Sequence, residues 1–327
     1  MADRIHKKCL LIGNGFNRLN SSSVSWDDLI KKPVEPYKDL EFTDIPKMSY
    51  PLKFEYIVNF LNQETNRNDE NLYEEIKKQI IDELGSIVKD QMIDLDIRKA
   101  LIEINPDYII TTNYDTQLEK VFASKGKNYQ YSKSLIQKMN NPKHSDTELV
   151  LGKTTTLRKV DFYHMHGINV VPRSVCLGYE HYVRIISKLR DKICCDSKHN
   201  RLIDFIKGDY CKSINPTYLA RFFDSDVYIV GLGLNEEEID LWWILCYRAY
   251  LYFSDLEGTR EFIKNKIVYY DVHKEKITSD GFSYEKDYLK QKKALFKYMH
   301  VDYQECIVTD SFKDSYLKVL EKIKENE

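Results

Sequence analysis

The chain has 327 residues, with 49 Lys and Arg against 51 Asp and Glu and a formal net charge of −2. That length holds one large α/β domain or two smaller ones, each with a substantial core. The balanced charge excludes a global basic field that would draw the protein onto nucleic acid or an anionic membrane. Seven cysteines, with Cys194 and Cys195 adjacent and no Cys-x-x-Cys pair, suit reduced thiols better than a disulfide framework. Met1 to Lys8 is charged, and no apolar run approaches the length of a membrane span, so the expected location is cytoplasmic.

Taken in order, Cys9 to Ile12 forms a first short apolar strand that empties into Gly13-Asn14-Gly15-Phe16-Asn17-Arg18. Two glycines one residue apart let backbone amides approach a phosphate closely, and a helix starting there would add its positive end. Arg18 stands where the dinucleotide fingerprint has its third glycine, and no second strand ending in an acid follows. Phosphate binding and a plain tight turn both stay open at this point.

From Trp26 to about Asn105 the pattern is helical. Phe54, Ile57, Val58 and Leu61 mark one amphipathic face, and Leu72, Ile76, Ile80, Leu84 and Val88 mark another. Glu74, Glu75, Lys77 and Lys78 read as a solvated helix face. Ile97, Leu101 and Ile104 belong to a last helix that Pro106 stops.

Tyr108 to Thr111 is then a buried strand, and its end spells Thr111-Thr112-Asn113-Tyr114-Asp115. A helix follows from Thr116 to Phe122, with Gly126 as its stop. Lys127 to Lys159 reads as loops with a hairpin, and Asn140-Asn141-Pro142 as a turn. Val160 to His166 reads as a strand broken by Gly167, and a regular strand would put His164 and His166 on one face.

Tyr179 to about Tyr218 is helical, with Tyr182, Ile185, Ile186, Leu189 and Ile193 as its stripe. Asp226 to Val230 is another strand, followed by Gly231-Leu232-Gly233-Leu234-Asn235 and the acids Glu236, Glu237, Glu238 and Asp240. Asn235 with Glu238 three residues on reads as a helix cap and its box. Three carboxylates on a first helical turn would repel a pyrophosphate. The first Gly-x-Gly is therefore the better phosphate site, and the second should meet a neutral part of a nucleotide such as a ribose. Ile267 to Val272 is the last strand; Asp271 at its end reads equally as an acceptor for ribose hydroxyls or as a solvated loop acid, and Phe312, Tyr316, Leu320 and Ile323 mark a final docking helix.

Five strands separated by helices indicate a Rossmann-like α/β fold: a largely parallel sheet with helices on both faces and a helical insertion domain. The expected organisation is a nucleotide-binding domain over 1–26, 105–178 and 220–327, with helical insertions over 27–104 and 179–219. Sites in such sheets form beyond the carboxyl ends of the strands. There the unusual groups collect, describing a nucleotide site with an Asn, an Asp and a His.

In order and spelling, Gly-Asn-Gly-Phe-Asn, Thr-Thr-Asn-Tyr-Asp, Met-His-Gly and Gly-Leu-Gly-Leu-x-Glu-x-x-x-Asp resemble the sirtuin-like NADase domains of prokaryotic antiphage defence proteins. The resemblance covers the sheet motifs, about half the chain. It implies NAD+ as substrate across the strand ends, with the pyrophosphate near Gly13, Asn14, Gly15, Phe16, Asn17 and Arg18. Thr112, Gly231, Gly233, Leu234 and Asp271 would line the rest of the dinucleotide. Asn113 and His166 would correspond to the catalytic pair, and Asp115 to the acid beside the nicotinamide.

Breaking the nicotinamide–ribose bond makes an oxocarbenium-like centre that water attacks, which calls for an oriented water and a base of near-neutral pKa and for no metal. The expected activity is NAD+ glycohydrolysis by the toxic effector of an abortive-infection system. Such an enzyme would be held inactive by homo-oligomerisation or by a separate sensor protein of the same operon. An NAD-dependent deacylase, and a non-catalytic module that binds NAD or ADP-ribose, stand as alternatives.

Overall fold

The computed structural model describes residues 6–19, 26–35, 48–65, 71–88, 91–123, 131, 136–137, 141, 150–193, 201–208, 217–274 and 284–325. The stop expected at Gly126, the turn at Asn140 to Pro142 and the Cys194–Cys195 pair lie outside the described residues, wholly or in part.

Seven strands form one sheet: β1 (Lys7–Ile12), β2 (Tyr108–Thr111), β3 (Thr155–Leu157), β4 (Val160–His164), β5 (Ser225–Val230), β6 (Ile267–His273) and β7 (Asp302–Ile307). Their spatial order is β3-β4-β2-β1-β5-β6-β7. Every pairing is parallel except β3 with β4, which is antiparallel; the hairpin expected within 127–159 falls largely outside the described residues. The parallel strands follow the doubly wound order, running outward from β1 to one side and then, from β5, to the other. The strand order reverses between β1 and β5.

Register aligns the strand ends. His164, Thr111, Ile12, Val230, Tyr270 and Gln304 form one row across the sheet. Every motif singled out in the sequence lies at or just past that row.

Alternating side chains from the same strands build two cores. Cys9, Leu11, Ile110, Tyr163, Ile229 and Tyr269 face one layer of helices. That layer contains α6 (Tyr179–Ile193), α7 (Arg201–Lys207), α8 (Tyr218–Asp224), α9 (Ile239–Ser254) and α10 (Tyr284–Tyr298). Leu10, Ile12, Ile109, Phe162, Tyr228 and Val268 face α4 (Leu95–Ile104), α5 (Gln117–Phe122) and α11 (Phe312–Glu325). In α11 the expected stripe holds: Tyr316, Leu320 and Ile323 are buried, with Phe312 at its exposed start. Helix α4 ends at Ile104 because Asn105 turns left-handed at φ 50, one residue before Pro106.

Helices α1 (Trp26–Lys31), α2 (Tyr50–Thr65) and α3 (Leu72–Val88) make a third core of their own, into which Tyr114, Val175 and Leu177 reach from the strand-end loops. One residue there departs from the expected solvated face. Lys77 of α3 is buried, and its Nζ donates to the Arg173 carbonyl at 2.9 Å and lies 3.1 Å from His181 Nε2. The lysine is buried because it fastens α3 to α6 and to the loop after β4.

Strand β7, Asp-Tyr-Gln-Glu-Cys-Ile, has no buried residue and so shows no apolar run in the sequence. Edge strands of this kind are polar by necessity. Among the described residues no helix is long and apolar enough to cross a membrane.

Candidate functional site

The end of β2 is shaped by its hydroxyl residue. Thr111 Oγ1 donates to the Ile12 carbonyl at 2.8 Å and accepts from the Asn113 amide at 3.0 Å, which turns the chain back toward β1. The Asn113 side chain is thereby buried, its Nδ2 donating to the Gly13 carbonyl at 3.2 Å. Asp115 is buried as well: Oδ2 accepts from Asn17 Nδ2 at 2.6 Å and Oδ1 from the Gln117 amide at 2.9 Å. Burial raises the Asp115 pKa above the usual range, assisted by Glu119 and opposed by the Gln117 amide, His164 and Asn17.

Two histidines expected on one face separate. Strand β4 stops at His164, whose Nδ1 donates to the Asn113 carbonyl at 2.9 Å while Nε2 meets Glu119 Oε1 at 2.7 Å. Burial lowers the His164 pKa, and Glu119 with the Asn113 carbonyl outweighs it, so the net direction is up. His164 and Glu119 make a buried hydrogen-bonded pair that holds the Asn113 carbonyl. The turn beyond His164 carries His166 to the opposite layer, where Gly167 at φ +91 permits the bend. A β-carbon on Gly167 would also collide with the Ser174 carbonyl.

His166 is 3% exposed, and its Nε2 lies 3.2 and 3.1 Å from the two oxygens of Asp240, which is fully buried. Glu238 Oε2 stands 3.7 Å from the same nitrogen. The Tyr182 ring meets the imidazole edge-on at a centroid distance of 5.3 Å. Burial lowers the His166 pKa, but Asp240 and then Glu238 outweigh it and carry it above the ordinary value. Burial also raises Glu238, and despite the opposing effect of His166 its pKa is pushed up to about 7. Asn113 and His166 occupy adjoining strand ends, joined through Met165 N to Thr111 O at 3.0 Å. Their side chains share no hydrogen bond among the described residues.

The two glycine motifs touch at the switch point. The Gly13 amide donates to the Val230 carbonyl at 3.0 Å and the Gly15 amide to the Gly231 carbonyl at 2.8 Å. A β-carbon on Gly13 would lie 2.5 Å from the Gly231 oxygen and 2.8 Å from Leu232 Cα. These glycines therefore serve the close approach of two loops, and their amides are not free for a phosphate. Asn17 to Leu19 forms a single 3-10 turn instead of a helix start, so the expected helix dipole is also absent there. What the loop presents is the half-buried Asn14 and the exposed Arg18.

The cap expected at Asn235 does not form either. Helix α9 begins at Ile239 with Glu238 at its cap position and no side-chain capping bond. Leu234 turns left-handed at φ 45, and the Asn235 carbonyl accepts from the Glu238 amide at 3.1 Å and Trp242 Nε1 at 2.8 Å. Glu236 and Glu237 thus precede the helix, while Glu238 and Asp240 turn toward His166.

Asp271 is held by protein groups. Its Oδ2 accepts from Tyr303 Oη at 2.8 Å and Lys292 Nζ at 3.3 Å. Lys292 also donates to the Gly233 carbonyl at 2.9 Å, clamping the second glycine loop to β6. Burial lowers the Lys292 pKa, partly offset by Asp271.

Glu119, Lys292 and Gln117 lie outside the sequence reading, and Asp240 entered it only within a motif and a run of acids, with no role of its own. The Gln117 side chain is 1% exposed and neither end of its amide has a partner, and Asn17 Oδ1 is likewise buried and unpaired. Orphaned buried polar atoms are rare in folded proteins, and beside Asp115 they suit a polar ligand that brings its own donors and acceptors.

The sheet order defines a Rossmann-like α/β protein whose polar strand ends gather around the switch point. The family model for the SIR2-like domain matches residues 107–251, from the start of β2 into α9. The match takes in Asn113, Asp115, His166 and Asp240, supports a sirtuin-like family, and with it an activity related to NAD. A search among curated proteins finds no match to the chain.

Proposed function

We propose that the protein is an NAD+ glycohydrolase: NAD+ and water give nicotinamide, ADP-ribose and a proton. The observation that carries this reading is the buried His166–Asp240 pair at the strand end beside Asn113. With Asp240 accepting from Nε2–H, the imidazole keeps its lone pair on Nδ1, which has no hydrogen-bond partner among the described residues. Nδ1 takes the proton of the attacking water, and the Asp240 carboxylate stabilises the imidazolium that results. Asn113 spends Nδ2 on the Gly13 carbonyl, so its Oδ1 accepts from the water or a ribose hydroxyl. Asp115 faces the cationic ribose–nicotinamide end, with Asn17 and Gln117 beside it. Arg18 meets the pyrophosphate as a mobile charge in place of a glycine cradle.

Uncontrolled NAD+ depletion is toxic, so this reading includes a role as the effector of an antiphage system, restrained by oligomerisation or by a sensor partner. The test is nicotinamide release by the purified chain, alone and with the products of neighbouring genes. His166→Ala should abolish release, and Asp240→Asn should lower it about 100-fold or more with NAD+ affinity retained. Release that requires an acyl-lysine peptide would convert the reading to deacylation. NAD+-induced thermal stabilisation with no turnover under any condition would convert it to a binding module.

A further inference from the structure

We propose that His166, Asp240 and Glu238 form a binding site for one divalent first-row cation such as Mn2+. The three ligand atoms, one imidazole nitrogen and two carboxylate oxygens, lie within 4.8 Å of one another. Nε2 stands 3.1 Å from Asp240 Oδ2 and 3.7 Å from Glu238 Oε2. Bonds of about 2.1 Å in a tetrahedral arrangement separate neighbouring ligands by about 3.4 Å, so the trio needs little movement to close on an ion.

Two further observations point to a cation. Glu238 Oε2 is a buried oxygen without a hydrogen-bond partner, and it is aimed at the same nitrogen. Among the described residues the ion-pair partner of both carboxylates is His166, and no Lys or Arg comes within pairing distance. Burial makes it costly to ionise both carboxylates beside a single histidine, and a cation is the partner that would let both do so. A divalent cation with a neutral imidazole brings the sum to zero. One nitrogen and two oxygens suit Mn2+, Fe2+ or Zn2+ better than a soft ion.

The consequence for activity follows from the tautomer and rests on the hydrolase reading above. A cation on Nε2 takes that lone pair and drives the single ring proton to Nδ1. Nδ1 then donates where it had accepted, and it can no longer remove a proton from water. The ion therefore switches the site off, reversibly.

Mn2+ titration of the chelator-treated full-length chain, followed by loss of the free-ion electron paramagnetic resonance signal, tests the site without reference to activity. Mn2+ also avoids the thiols that would take up Zn2+. We expect one ion per chain, with affinity reduced at least tenfold in Glu238→Gln and in Asp240→Asn. Glu236→Gln, an exposed acid outside the trio, should bind as the wild type does. An undiminished signal up to about 1 mM ion, or equal affinity in all four proteins, overturns the site. Inhibition of nicotinamide release by Mn2+, relieved by chelator, is expected; stimulation or no effect by a bound ion overturns the switch and leaves the site. Binding with no nicotinamide release under any condition overturns the hydrolase reading alone.

Discussion

Acid should loosen the contact between α3 and α6, and His181 sets where on the pH scale this begins. Its Nδ1 accepts from the amides of Leu177 at 3.3 Å and Gly178 at 3.2 Å, while Nε2 faces the Lys77 amine. A second ring proton would have to enter on Nδ1, against two N–H donors and beside a lysine. Burial first, then Lys77 and Arg184, push the pKa from 6.5 down to about 3. The folded pKa lies below the unfolded one, so between these values the unfolded chain binds more protons. Stability contributed by the neutral ring is complete above about pH 6.5 and is lost as the pH falls toward 3. At about pH 5 the loss amounts to ~2 kcal/mol. Urea unfolding of the wild type and of His181→Gln at about pH 7.5 and pH 5 measures it. The wild type should lose ~2 kcal/mol relative to the variant on acidification. An equal loss in both proteins would refute the assignment of acid sensitivity to this ring.

Gly13→Ala should destabilise the fold by about 1–3 kcal/mol in the same assay, because the new methyl group meets the backbone of Gly231 and Leu232. Arg248 is wholly buried and donates to the carbonyls of Phe222, Asn265 and His300. Arg248→Met leaves acceptors among them unpaired and should cost about 2–4 kcal/mol, read from the shift in denaturation midpoint at constant slope.

The sheet was legible because its five interior strands are apolar runs that end in polar or glycine residues, and β2 shows the pattern most clearly. The missing strands, β3 and β7, sit at the two edges, where the apolar signal is weakest. At the site, Asn113, Asp115 and His166 stand out by position at strand ends. Asp240 was hidden in a run of acids that read as the amino end of a helix. The signal that finds it is helical phase: Asp240, Ile244, Arg248 and Leu251 all fall on the buried face of α9. A charge at a core position of an apolar helix calls for a buried partner, here His166 for Asp240 and backbone carbonyls for Arg248. Lys77 gives the same signal on α3, between Ile76 and Ile80. The glycine loops misled for a different reason. A Gly-x-Gly shows that something comes close to the backbone, and here that neighbour is the other glycine loop.

The bonds that assemble the site join distant parts of the chain. Asn17 reaches Asp115 across 98 positions, Asn113 reaches Gly13 across 100, and His166 reaches Asp240 across 74. Local helices close in microseconds or less, whereas contacts of this separation pay the full loop-closure entropy before they return anything. During synthesis at about 5–20 residues per second, a ribosome-bound chain carries β1 and β2 for several seconds before Asp240 exists to hold His166. A nascent chain thus has His166 before it has the carboxylate that holds it, and completes the pair late in its own production.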